Sequence, residues 1–156
     1  MASTITSGTV TVKITETVSL NSTNYDSINT LTIPNVNEIS QRIVTIPPQS
    51  ITELFKFAAT IAPGQFLKTT AQYLRITNKD DTNPVALNIQ SPASNTWIRV
   101  PAGRSFILGS STASMESIAT AVVAVPSLED IELISAYGPT AGAENTVDVE
   151  CYVALT

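Results

Sequence analysis

Two stretches near opposite ends of the chain alternate apolar and polar residues with period two. In TVTVKITETVSL, 9–20, Val10, Val12, Ile14, Val18 and Leu20 share one parity, and Thr9, Thr11, Lys13, Thr15 and Thr17 share the other. In TVDVECYVAL, 146–155, Val147, Val149, Cys151, Val153 and Leu155 answer Asp148 and Glu150. A helix cannot sort such a pattern onto one side, whereas a strand with one wet face does so automatically. The 22 Thr and 16 Ser reinforce this, because β-branched Thr, Val and Ile suit a pleated surface. Both ends of the fold are therefore strands, and the space between decides the architecture.

That space holds short apolar runs separated by turn formers. NSTNYDS, 21–27, reads as a polar loop, NTLTIP, 29–34, as a strand stopped by Pro34, and SQRIVTIPP, 40–48, as one stopped by Pro47 and Pro48. ITELFKFAA, 51–59, reads as a strand, but Glu53 and Leu54 break its period and leave a helical turn open. In AQYLRITNKDDTNPVALNIQ, 71–90, Leu74 and Ile76 face Val85, Leu87 and Ile89 across the turn-rich NKDDTNP, which predicts a β-hairpin. Two more strands flank the turn PAGR, 101–104. Segment 128–137 alternates through Ile131, Leu133, Ser135 and Tyr137. Segment 110–127 gives no clear period. The sum is an all-β chain: an antiparallel β-sandwich, jelly-roll-like, of eight to ten short strands. The 156 residues fit a single domain over 1–156, with 1–7 as an N-terminal arm that orders on a partner.

Composition removes much chemistry. The chain has no His and one Cys, so it lacks an imidazole for a catalytic triad and the thiols for a Cys-rich zinc site. Charged residues are 13%, against roughly 25% in an average domain. Eight Lys and Arg against 13 Asp and Glu give a net charge of -5, which argues against nucleic-acid binding. No apolar run approaches the ~20 residues of a membrane helix, and MASTITSG lacks the basic and apolar regions of a signal peptide. The expectation is therefore a chain made without a leader in a cytosol, with no membrane, no nucleic acid and no cofactor.

Candidate sites are few, and each has a plain structural alternative. No nucleophile elbow, Walker A or dinucleotide fingerprint is present, so no enzyme is expected. Thirteen carboxylates leave a glycosidase pair formally open, but nothing pairs any two, and aromatics are only 6%. Asn78, Asp80, Asp81 and Asn83 offer oxygens for Ca²⁺, yet they are also the residues a tight turn wants. Glu129, Asp130 and Glu132 form an acidic knot, either a solvated edge or a docking surface. Glu16 falls on the apolar parity of its strand. It either escapes at an edge or bulge, or points at a basic partner, since an unpaired buried charge is too costly. Trp97 and Arg99 share a parity and suit a cation–π pair, an interface anchor or, for Trp97, plain core packing. Cys151 reads as a small core residue. Asn21-Ser22-Thr23 fits the glycosylation pattern, which carries no weight in a leaderless chain.

As a set, VKITETVSLN (12–21), EISQRIVTIP (38–47), YLRITNKDDTNPVALNI (73–89) and VPAGRSFIL (100–108) resemble small virion structural proteins of tailed bacteriophages, marine and cyanobacterial ones in particular. The resemblance covers roughly 12–155. It implies a β-sandwich that coats or joins virion parts and carries no reaction centre. The reading expected from it is a capsid decoration (cement) protein on the outer capsid. Its partners would be the major capsid protein and further copies of itself, as a homotrimer, after synthesis in the host cytoplasm. The expected interface is Ala2, Thr4, Ile5 and Gly8 of the arm, Glu16, and Trp97 with Arg99. A tail- or fibre-base component is the alternative within the same class. A carbohydrate-binding adhesin, stacking sugars on Trp97, Tyr73 and Tyr137, is the alternative from another.

Overall fold

The computed structural model describes residues 6–109, 114–115, 128–142 and 145–156. Every regular element among them is a β-strand. In chain order these are β1 (Gly8–Glu16), β2 (Ser19–Leu20), β3 (Thr23–Asn24), β4 (Ser27–Val36), β5 (Glu38–Ile46), β6 (Ile51–Ala58), β7 (Phe66–Leu67) and β8 (Ala71–Asn78). They continue as β9 (Val85–Gln90), β10 (Asn95–Val100), β11 (Ser105–Leu108), β12 (Ser114–Met115), β13 (Glu129–Asp130), β14 (Leu133–Tyr137) and β15 (Val147–Leu155).

Two sheets form the body. One has the order β11-β8-β15-β5, the other β10-β9-β14-β6 with the short β7 added parallel to β6. The partnering is nested: β5 with β15, β6 with β14, β8 with β11 and β9 with β10, all antiparallel. Eight strands paired this way across two sheets make a jelly roll, the sandwich expected from the sequence.

The nesting corrects the expected hairpin over 71–90. β8 pairs with β11 and β15, while β9 pairs with β10 and β14, so the two strands lie in opposite sheets. Their apolar stripes do face each other, but across the core and not along a ladder. The loop between them is an arch. Asn78, fully buried at its start, donates from Nδ2 to the carbonyls of Asn83 (2.9 Å) and Val100 (3.2 Å), and its Oδ1 accepts from the Asp80 N–H at 3.0 Å. These bonds satisfy backbone groups that the sheet change would otherwise strand.

The core lies between the sheets. Val147, Val149, Cys151 and Val153 of β15 and Leu74 and Ile76 of β8 meet Val85, Leu87 and Ile89 of β9 and Ile134 and Ala136 of β14. Each fully buried aliphatic of this kind stabilises by about 1.5–3 kcal/mol. Phe55, Phe57 and Phe66 form a ring cluster at one side, with Arg42 of β5 over the Phe55 ring and donating to the Leu54 carbonyl.

Two period breaks have local causes. In β6, Glu53 and Phe55 oppose adjacent residues of β14, so Leu54 is an extra residue in a β-bulge, and Leu54 and Phe55 are both buried. That bulge explains the irregularity that left a helical turn open. In β14 the core residues are Ile134 and Ala136, the parity opposite to the expected Leu133, Ser135 and Tyr137. A central strand carries small or apolar residues on both faces, so its pattern does not show which face is inside. At the arch into β15, Gly138 packs on Pro47 so closely that a Cβ there would lie 2.9 Å from the Pro47 carbonyl oxygen. Most of the unassigned segment 110–127 lies outside the described residues.

Candidate docking surface

The first four strands stand apart from the jelly roll. β1 and β4 pair only with each other among the described residues, and β2 and β3 continue the ribbon as a short hairpin. The segment read as a polar loop is thus the tip of a long arm. Leu20 opposes Thr23, and Asn21 and Ser22 both have positive φ (50° and 64°), the geometry of a tight two-residue hairpin turn. Pro34 does not stop its strand. The register slips between Gly8↔Val36 and Val10↔Ile33, so Pro34 and Asn35 together oppose Thr9 in a bulge, a place where Pro is tolerated. Gly8 is exposed at this bulge, at the start of β1.

The base of the arm is anchored on the outer face of the β11-β8-β15-β5 sheet. Ile33 and Val36, with Val10 and Val12, pack against Tyr73, Ala154 and Tyr152. Every residue from Lys13 to Thr32 is exposed. Ile14, Val18, Leu20, Tyr25, Ile28 and Leu31 are among them, with Leu20 at 59%, Tyr25 at 61% and Ile28 at 61% of full exposure. They are divided between the two faces of the ribbon: Ile14 and Leu31 fall on the face that carries Val10 and Val12, whereas Ile28, opposite Thr15, falls on the other. Glu16 lies on this outer stretch opposite Ser27, so it escapes burial at the far end of the ribbon.

Between the open edge of β1 and the sheet below runs a groove of about 430 Å³. Its wall is residues 10–14, and its floor is Tyr73, Arg75, Ser105, Ile107 and Tyr152. Arg75 pairs with Glu150 at 3.0 Å and lies 5.9 Å from the Tyr152 ring centroid. Burial raises the Tyr73 hydroxyl pKa above its ordinary value, with Arg75 opposing the shift. The sequence reading missed Arg75 and Tyr152 as a pair. Their signal was a large aromatic and a cation on the wet parities of strands with apolar inner faces.

The other sequence candidates separate. Ala2, Thr4 and Ile5 lie outside the described residues. Trp97 and Arg99 are exposed on the outer face of the other sheet. Trp97, 49% exposed, is no core residue and meets Tyr137 edge-on at 6.2 Å. The cation–π contacts among the described residues are Arg42 with Phe55 and Arg75 with Tyr152, not Arg99 with Trp97. Tyr73 lies on the opposite sheet from Trp97 and Tyr137, so the three do not form one platform. Asp80 spends Oδ1 on the N–H groups of Thr82 and Asn83, which is turn chemistry, and those bonds hold its carboxyl below the usual range. In the acidic knot, Glu129 accepts from Ser91 Oγ and the Ala93 N–H, and Glu132 pairs with Lys68 at 2.9 Å. Cys151 is buried in the core, and burial pushes its thiol up to about 11. No helix among the described residues is long and apolar enough to cross a membrane. Neither protein-family models nor curated proteins match the chain.

Proposed function

We propose that this chain is a virion structural protein, a capsid decoration protein that binds the outer capsid and bridges neighbouring major capsid subunits, with copies grouped as a homotrimer. Jelly rolls serve both shell proteins and lectins, so the fold does not choose between them. The observation that carries the reading is the arm: a two-stranded ribbon whose outer half exposes six large apolar side chains. Such a ribbon is marginal alone in water, and large apolar side chains left exposed along it are what a protein-docking surface would cover. The resemblance of the first strand and of the β5, β8 and β11 segments to phage virion proteins points to the shell as partner. The mechanism is mechanical, adding contact area across seams that genome pressure tends to open.

Adding purified protein to undecorated capsids tests this. Full-length protein should decorate the shell and raise its resistance to heat. A variant with 17–26 replaced by Asn-Gly should keep the body folded and fail to bind. Density at the tail or a single vertex would favour the tail or fibre-base role, and capsids equally heat-resistant without the protein would remove the cement role. One feature favours a glycan-binding module instead: exposed Trp97 set edge-on against half-buried Tyr137. Glycan-array binding lost in Trp97→Ala with the fold intact would select that reading.

A further inference from the structure

The geometry points to the groove at the base of the arm as a strand-addition site for an extended acidic segment of a partner protein. β1 has one hydrogen-bonded neighbour among the described residues, β4, so its other edge presents a row of backbone donors and acceptors. That edge overlooks the groove, because five consecutive residues of β1, from both faces of the ribbon, line it. A segment laid along the edge would widen the ribbon to three strands and cover Ser105 and Ile107, the exposed part of the floor, in the mode of β-augmentation.

The charge of the lining selects the occupant. The groove is lined by two cations, Lys13 and Arg75; Arg75 is already paired with Glu150 beside the floor, so Lys13 carries most of the charge that selects an occupant. Arg75 keeps guanidinium donors after its Glu150 contact, and Lys13 falls on the parity opposite Val10 and Val12, the residues that face the sheet. Cross-strand pairing of opposite charges fixes register on both faces. Tyr73, Ile107 and Tyr152 supply apolar floor between them. The preferred segment therefore mixes acidic and β-branched apolar residues on each face.

This deepens the docking reading and rests on it only for the partner being a shell protein. The probe is a short acetylated peptide of repeated Val-Glu-Glu-Val, with Val-Lys-Lys-Val as its control, titrated into full-length protein to about 1 mM and followed by NMR. The acidic peptide should shift the amides of residues 10–14. Lys13→Glu, an exposed change that leaves the fold intact, should weaken binding roughly tenfold, and an N-methylated peptide should not bind. Absence of binding, equal binding of the basic control, or shifts confined elsewhere would overturn the inference. So would β1 amides already protected in a self-associated protein, because the edge would then be filled by a second copy. Peptide binding without capsid binding would break the shell assignment and leave the groove. Capsid binding untouched by Lys13→Glu would break the groove and leave the shell.

Discussion

β1 and β15 have nearly the same pattern and opposite fates. Val147, Val149 and Val153 of β15 are fully buried, whereas Ile14, on the matching parity of β1, is 47% exposed. Alternation specifies a strand with an apolar side. It does not specify that anything will cover that side. β15 is sandwiched because it has sheet neighbours on both sides and a second sheet across the core. β1 has one partner strand among the described residues, and of its apolar side Val10 and Val12 pack on the cluster at the body's outer face. The body is built for its own stability, and the outer arm carries apolar surface that contributes little to it.

Truncating one apolar side chain in each region is the strongest way to break that contrast. Leu87→Ala, deep between the sheets, should cost about 3 kcal/mol, within the range for buried leucines that leave a cavity. Leu20→Ala at the arm's tip should change stability by less than about 0.5 kcal/mol. Urea midpoints of both variants check this. A loss in Leu20→Ala near that of Leu87→Ala would mean that the tip is packed in the free protein, and the two regions would no longer differ.

The same contrast shows what the sequence could reveal. Faces were legible: Leu74, Ile76, Val85, Leu87 and Ile89 all point into the core as their parity required. Partners were not. Two stripes joined by a turn-rich loop look alike whether they pair in one sheet or face each other from two, and only the nested pairing of the whole chain decides. Bulges hid in the same way, since the extra residue at Leu54 imitates a lost period. At the candidate site, Ala154 shows the limit most sharply. It sits on the wet parity of β15 with Asp148 and Glu150, and it is fully buried because the arm lies over it. No local pattern carries information about a ribbon that arrives from more than a hundred residues away.

The hinge between the two regions is the small cluster of Ile33, Val36, Tyr73 and Ala154, and loosening it sharpens the comparison. Ile33→Ala should release the arm while the jelly roll stays folded. Hydrogen exchange should speed up by about tenfold or more across 8–36, as expected for sub-global opening, with little change in β8, β9 and β15. The global urea midpoint should fall by less than half the Leu87→Ala shift. Uniform acceleration over the whole chain would show that arm and body unfold as one unit.

Acid gives the smallest effect, and it should fall on the body. Asp80 is ionised at neutral pH and accepts the Thr82 and Asn83 N–H groups that shape the arch between β8 and β9. Those two bonds lower its pKa in the folded state, so protonation is harder there than in the unfolded chain. The stabilisation is therefore complete above the ordinary carboxylate pKa and fades as pH falls through the lower, folded one. Asp80 is half-buried at the surface of the arch, where solvent screening keeps the gain modest. Asp80→Asn keeps an acceptor oxygen but cannot titrate. It should be slightly less stable than the parent at pH 7, and the difference should vanish at the acid end of the range. Urea midpoints of the two proteins against pH test this. Curves that stay parallel into acid would show that the Asp80 charge adds nothing to the arch, leaving Asn78 and its neutral hydrogen bonds as the element that turns the chain between sheets.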